Sequence, residues 1–184
     1  FDAEPRPIAV KRLADLMVLA AQKPAHRVEL EASLRDDAKR IAPKLDLAEV
    51  GEAALQLRDD WSQHFARQIA QQSGREPTVS DLRHWLDLPD RRGLRDDLQD
   101  LVILTWLAKS NRSLYRFGQP FKGEIGNVPN ECEVREQPLP TTAEWDKATK
   151  LAGDMLDPAM AALYRSAPGL VEFSRAARKR VTDT

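Results

Sequence analysis

Cysteine is almost absent from the chain: Cys132 is the single thiol, so no disulfide can form within it. Glycine (8) and tyrosine (2) are scarce and β-branched runs are few, which favours helices over sheets. No apolar run approaches the roughly 20 residues that a membrane-spanning helix needs. The net charge is only -1, so no overall attraction to nucleic acid or membrane is expected. We therefore expect a cytoplasmic chain with no membrane partner.

Sequence motifs that are typical of enzymes are also missing. No GxxxxGK[ST] or GxGxxG loop is present to cradle a phosphate group. The histidines, His26, His64 and His84, lie far apart, and none has a partner at metal-ligand spacing. We therefore predict no catalytic, cofactor-binding or metal-binding residue and no enzyme activity for this chain by itself. One alternative stays open, a small enzyme that uses Cys132 or a helix-face carboxylate.

The most distinctive stretch is residues 94–109, which opens polar and ends almost wholly apolar. Leu94, Leu98 and Leu101 follow one another at helical spacing, and Trp106 and other apolar side chains fill the remaining faces. A helix that is apolar all round must be buried on all sides. We therefore predict a mainly α fold, a multi-helix bundle around a buried central helix at about 94–109.

Helical periodicity and capping signals extend this prediction to the rest of the chain. The predicted helices cover residues 8–21, 27–41, 46–72, 78–88, 141–152, 157–164 and 166–180. Capping boxes are predicted at 46–49 and 141–144. Residues 114–117 and 131–136 alternate like strands, so 114–136 should form a small β-ribbon or an irregular loop. The four tryptophans fall on the apolar stripes of their helices, which indicates core packing.

The expected organisation is a single helical domain, residues 1–184, with 1–74 and 75–184 as candidate sub-units. Because the first residue is Phe1 rather than Met, we expect a fragment of a larger protein. Basic residues gather in the corner before the central helix, after that helix, and at the end of the chain. Their candidate role is nucleic-acid or partner contact, and they are Arg91, Arg92, Arg112, Arg116, Arg175, Arg178, Lys179 and Arg180. A solvated surface is the simpler interpretation of these residues, because the wider positive excess of nucleic-acid-binding proteins is missing.

Several segments resemble one protein family. They are residues 82–89 (LRHWLDLP), 93–94 (GL), 98–104 (LQDLVIL) and 110–113 (SNRS), and then 133–140 (EVREQPLP) before Glu144-Trp145. This series resembles a part of the very large ATPases of bacterial phage-defence systems. They are the PglY/BrxC-like ATPases of the phage-growth-limitation and bacteriophage-exclusion (BREX) systems. The similarity covers about residues 78–152, and the first 75 residues add little.

The resemblance implies a non-catalytic helical scaffold or interaction domain of a multidomain bacterial ATPase that restricts phage. The family's ATP-binding residues have no counterpart here. Implied partners are other domains of the parent chain or other proteins of the defence complex, and DNA is a candidate as well. The alternative is a helical nucleic-acid-binding module that uses the basic surface, which predicts salt-dependent binding to duplex DNA.

Overall fold

The computed structural model describes residues 4–72 and 74–182, apart from the side chains of 180–182, and shows a mainly helical fold with two small β-sheets. The α-helices are α1 (Pro7–Gln22), α2 (Ala32–Ile41), α3 (Asp60–Gln71), α4 (Val79–Leu86), α5 (Asp96–Lys109), α6 (Thr142–Met155) and α7 (Ala167–Thr182). The strands are β1 (Arg27–Glu29), β2 (Ala48–Val50), β3 (Ala54–Leu57), β4 (Arg112–Arg116), β5 (Gln119–Phe121) and β6 (Glu133–Glu136). Among these residues, no helix is both long enough and apolar enough to span a bilayer.

Helix α5 occupies the predicted central position, but the prediction that it is buried on all sides is wrong on one face. It packs against α1 most extensively, and also against α3, α4 and β4. Leu101, Ile103 and Trp106 are buried although they point in different directions from the helix axis. The exception is Leu104, which is only partly buried. The tryptophans are all buried as predicted, so their indole rings contribute to the core.

Local capping chemistry fixes where two helices begin. In α4, the Thr78 hydroxyl accepts a hydrogen bond from the Asp81 N–H, and the Asp81 carboxylate accepts from the Thr78 N–H. Thr141 and Glu144 form the same reciprocal pair at the start of α6. Each box satisfies backbone donors that would otherwise have no partner in the first turn. The box predicted at 141–144 is therefore confirmed.

The helix predicted at 27–41 is wrong over its first part. Residues 27–29 form strand β1, and the helix begins only at Ala32. Val28 and Leu30 are buried while Arg27 and Glu29 are exposed, a period of two that belongs to a strand. The helical reading relied on Leu30 and Leu34, whose spacing of four also fits a helix.

The long helix predicted at 46–72 is also wrong. Its first half is a hairpin of β2 and β3, and helix α3 covers only residues 60–71. Asp46 does not begin a helix: it ends the short 3-10 helix Pro43–Leu45 with a left-handed backbone, φ of 55°, and strand β2 follows. Strand β3 pairs antiparallel with β1 on one side and β2 on the other. Because its partner β1 lies about 25 residues earlier in the chain, this pairing leaves no signal within the segment.

A second sheet occupies the region predicted as a ribbon or loop at 114–136. Strand β4 is its middle strand, with β5 and β6 antiparallel on either side, so the prediction missed one strand. The edge of β6 is tied to the chain before α4, because the Val134 N–H donates to the Pro77 carbonyl. The helix predicted at 157–164 is a short 3-10 helix, Pro158–Ala162, whereas the last predicted helix corresponds to α7.

Candidate functional site

The basic residues singled out from the sequence lie in three places. Arg91 and Arg92 occupy the corner between α4 and α5, Arg112 and Arg116 lie at the two ends of β4, and the remainder lie on α7. The structure brings only part of this set together. Arg112, Arg175 and Arg178 line one cleft, whereas the corner arginines do not contribute to it.

The corner arginines differ in exposure. Arg92 donates to the Asp46 carboxylate at 3.1 Å, and its guanidinium lies 4.8 Å from the centre of the Trp61 ring. Arg91 is 89% exposed and lies 3.9 Å from Asp87. Arg92 therefore ties the corner to the first sheet region, while Arg91 extends into solvent.

Both arginines of β4 are held by acidic neighbours on the sheet. Arg112 donates to Glu136 at 2.6 Å, and its side chain is only 13% exposed. Arg116 lies 2.6 Å from Glu131. Each guanidinium charge is thus balanced next to it by a carboxylate, which weakens the field that a phosphate backbone would meet.

The cations of α7 lie in the second half of that helix. Arg175 lies 3.8 Å from Glu172, and Arg178 and Lys179 are exposed. The side chain of Arg180 lies outside the described residues. Of the described candidate residues, Arg112, Arg175 and Arg178 therefore share the cleft, and a contact role for the whole set stays a prediction.

A cleft of about 890 Å³ lies between α1, the end of α5, the second sheet and α7. Its apolar lining includes Val18, Leu19, Leu104, Leu107, Phe121 and Leu170. Leu104 and Leu107 belong to the central helix, which is thus not sealed on its side nearest to α7. A cleft of this volume and lining is large enough for apolar side chains of a partner.

The start of α7 is fixed against the rest of the fold by three side chains. Asn111 adopts a left-handed backbone with φ of 50°, and its Oδ1 accepts a hydrogen bond from the Ala167 N–H. Ser166 Oγ accepts from the Gly169 N–H and donates to Gln22 of α1. A Cβ added at Gly169 would lie 1.9 Å from a backbone carbonyl oxygen, so only glycine fits there.

The chain matches the family model described as the fifth domain of the BREX system ATPase PglY, over residues 9–107. This chain belongs to the PglY fifth-domain family. The match runs from α1 through most of α5, and so includes the first 75 residues that the sequence resemblance left aside. It ends before the second sheet, which that resemblance included. No solved structure matches the chain.

Within the matched part of this PglY domain, a buried ion pair joins α4 to α5. Arg83 donates to Asp100 at 2.6 Å, to the Gln99 side chain at 2.8 Å and to the Val128 carbonyl at 3.1 Å. Asp100 is 1% exposed, and its second oxygen accepts from the Gly126 N–H at 2.8 Å. Burial raises the pKa of the Asp100 carboxyl, although the Gly126 N–H and the Arg83 guanidinium act in the opposite direction.

The sequence analysis did not identify this ion pair. Arg83, Gln99 and Asp100 all stand in the segments that carried the resemblance to phage-defence ATPases. The available signal was Asp100, a charged residue beside the apolar run of α5, because carboxylates are rarely buried unless they are paired. The pair holds the loop at 126–128 against the two helices, so its contacts are structural.

The groups proposed for the alternative enzyme are also engaged by the fold. Cys132 is fully buried, and burial raises the pKa of its thiol, with the Glu131 carboxylate raising it further. A raised pKa keeps the thiol protonated, which makes it a poor nucleophile. His64 Nε2 donates to the Trp85 carbonyl, and His26 Nδ1 lies 3.1 Å from the Ala21 carbonyl. In the described residues, no three potential metal ligands gather at one place.

Proposed function

We propose that this chain is a non-catalytic helical scaffold and interaction domain within a phage-defence ATPase. That it is part of such an ATPase follows from the family to which it belongs. The scaffold role is a further step beyond family membership, and a separate observation supports it. The observation that supports the scaffold role is that potentially reactive side chains are occupied by the fold. Asp100, Cys132 and His64 are each buried or hydrogen-bonded to a neighbouring element.

The partners proposed for this scaffold are other domains of the ATPase or other proteins of the defence system. The chain offers two features for such contacts, the apolar cleft beside α7 and an exposed hairpin between β4 and β5. Both features lie largely outside the matched residues 9–107. The matched part supplies most of the core and one wall of the cleft, and the part after Leu107 supplies the hairpin and the rest of the cleft.

The alternative, a nucleic-acid-binding module, receives less support from the contacts. Arg92, Arg112 and Arg116 each face a carboxylate within hydrogen-bond or ion-pair distance. Neutralising phosphates would require these pairs to open, and each broken pair offsets part of the gain from counterion release. A fluorescence-anisotropy titration with duplex DNA at low and physiological salt tests this alternative directly. Tight binding that weakens steeply with salt would favour it over the scaffold proposal.

The scaffold proposal is tested by separating ATP hydrolysis from phage protection. Two forms of the intact ATPase are compared, the wild-type protein and one that lacks this domain. We expect the hydrolysis rate per molecule to stay unchanged, because the domain supplies no catalytic group. We expect phages to form more plaques on bacteria whose ATPase lacks this domain, because assembly of the defence system is impaired.

Isothermal titration of the chain alone with Mg-ATP provides the matching binding measurement, and we expect no heat of binding. Nucleotide binding by the chain, or loss of hydrolysis in an otherwise assembled ATPase, would contradict a non-catalytic role. Unchanged phage protection after removal of the domain would contradict the scaffold role itself.

A further inference from the structure

The turn between β4 and β5 contains an unusual residue. Arg116 pairs with Gln119 across the hairpin, which leaves Phe117 and Gly118 as a two-residue loop. Both loop residues have positive φ, 51° for Phe117 and 77° for Gly118, as in a type I′ turn. Such turns favour Asn or Asp followed by Gly, because a bulky side chain in the left-handed region strains the backbone.

Packing inside the molecule does not compensate for this strain. Phe117 is 84% exposed, more than any other large hydrophobic residue in the described part of the chain. Its ring is flanked by the Arg116 guanidinium, 5.3 Å from the ring centre. Strain that no packing compensates is typical of functional positions, so we infer a role for Phe117 in binding from its backbone conformation.

The surroundings of Phe117 fit a protein partner better than a polyanion. Arg116 pairs with Glu131, so the positive charge next to the tip is balanced. Aromatic side chains are frequent anchors at protein interfaces, where they fill a pocket on the partner. Pro120 lies in edge strand β5 and has no N–H to donate, which disfavours addition of a partner strand.

The size of the contact indicates what kind of partner is involved. One aromatic side chain buries about 150–250 Å², whereas a specific complex of separate proteins buries about 1,200–2,000 Å². So small a contact becomes stable when both sides belong to one polypeptide, because tethering gives a high effective concentration. The matched family model describes a fifth domain, so other domains are attached to this one.

We propose that Phe117 is an anchor that inserts into an apolar pocket on another domain of the same ATPase. This proposal rests on the scaffold function proposed above and names one of its contacts. The middle strand β4 and its pairing with β6 hold the hairpin in place, so the tip is presented on a fixed support. The partner pocket should be apolar at its base and polar at its rim, to match the Arg116–Glu131 ion pair beside the tip.

The first test is the substitution Phe117→Asn, which creates the preferred Asn-Gly type I′ turn. We expect the unfolding midpoint of the chain to rise by about 2–4 °C, a shift typical of relieving one modest strain in a protein of this size. Met155→Asn on α6 is the matched control, because Met155 is also highly exposed and lies on an unstrained helix. A lower midpoint for Phe117→Asn would show that the ring stabilises the fold and would overturn the proposal.

The second test places the photo-reactive residue p-benzoylphenylalanine at position 117 of the intact ATPase, with position 155 as the control. We expect a cross-link from position 117 to an apolar surface in another domain of the same polypeptide, identified by mass spectrometry. A cross-link to DNA or to a second copy, or a yield no higher than from position 155, would overturn the proposal.

Phage plating separates this proposal from the scaffold function. We expect Phe117→Asn in the intact ATPase to weaken protection and Met155→Asn to leave it unchanged. If removing the domain abolishes protection but Phe117→Asn has no effect, the anchor is refuted while the scaffold function stands. If removing the domain has no effect either, the scaffold function is refuted as well.

Discussion

At the scale of single residues, the ion pair of Arg83 and Asp100 stands out because both charges are largely removed from water. Taking both charges out of water is costly, and their mutual attraction offsets that cost only while every hydrogen bond is made. Asp100 uses both oxygens, one for Arg83 and one for Gly126. The removal of either partner would leave a charge or a donor without compensation in the core.

We expect Asp100→Ala to lower the free energy of unfolding by about 3–5 kcal/mol, because the largely buried Arg83 guanidinium would lose its counter-charge. Asp96→Asn is the control, since Asp96 is exposed in the first turn of the same helix. Its loss should cost less than about 1 kcal/mol through the helix dipole. Urea denaturation of the three proteins measures both values, and equal effects would contradict a buried pair.

At the scale of elements, the start of α4 depends on one carboxylate. Burial tends to raise the pKa of Asp81, but hydrogen bonds from Arg75 and Thr78 outweigh it and lower the pKa from 3.8 to about 2. A carboxylate whose pKa is lower in the folded state stabilises the fold above its unfolded pKa. That contribution is lost as the pH falls from about 3.8 towards about 2.

Asp81→Asn should therefore cost about 0.5–2 kcal/mol at neutral pH, the usual range for a lost N-cap interaction. The difference from the wild-type protein should shrink as the pH falls, because protonation removes the same interaction from the wild type. Urea unfolding between neutral pH and about pH 3 measures this change. Glu144→Gln in the equivalent box of α6 is the control, with a smaller effect expected because Glu144 is exposed. A pH-independent difference for Asp81→Asn would refute the assignment.

At the scale of the whole molecule, the apolar core extends from α1 to β6 and includes residues from both candidate sub-units, 1–74 and 75–184. The division into one or two units stays a prediction. Helix α7 lies apart from this core: its Leu170, Val171 and Phe173 are only partly buried, and the cleft lies beside them. Stability should therefore differ between the two parts of the fold.

Hydrogen exchange should show this difference. We expect amides of α5 to exchange only through global unfolding, and amides of residues 170–179 to exchange faster through local opening of α7. Mass spectrometry of the native protein over minutes to hours measures both, with α1 as a second core helix for comparison. Equal protection of α5 and α7 would contradict a cleft that can open, and separate unfolding of α1 and α5 would support two units.

The elements that sequence could predict are those whose signals are local. Helices α1 and α5 follow from apolar spacing, and α6 follows from its capping box, because each depends on neighbours within a few residues. The first sheet could not be predicted, since β3 pairs with a strand far earlier in the chain. The same holds for the arginines: Arg92 finds its partner Asp46 only in the folded protein, so exposure and pairing could not be derived from the sequence.

Asn111 bonds to two segments that are far apart in the chain. Its side chain accepts from the Ala167 N–H at the start of α7, and its backbone carbonyl accepts from the Gln137 N–H just after β6. The side chain and the backbone of Asn111 therefore link the start of α7 to the sheet that carries the hairpin, alongside the Lys122–Glu172 ion pair.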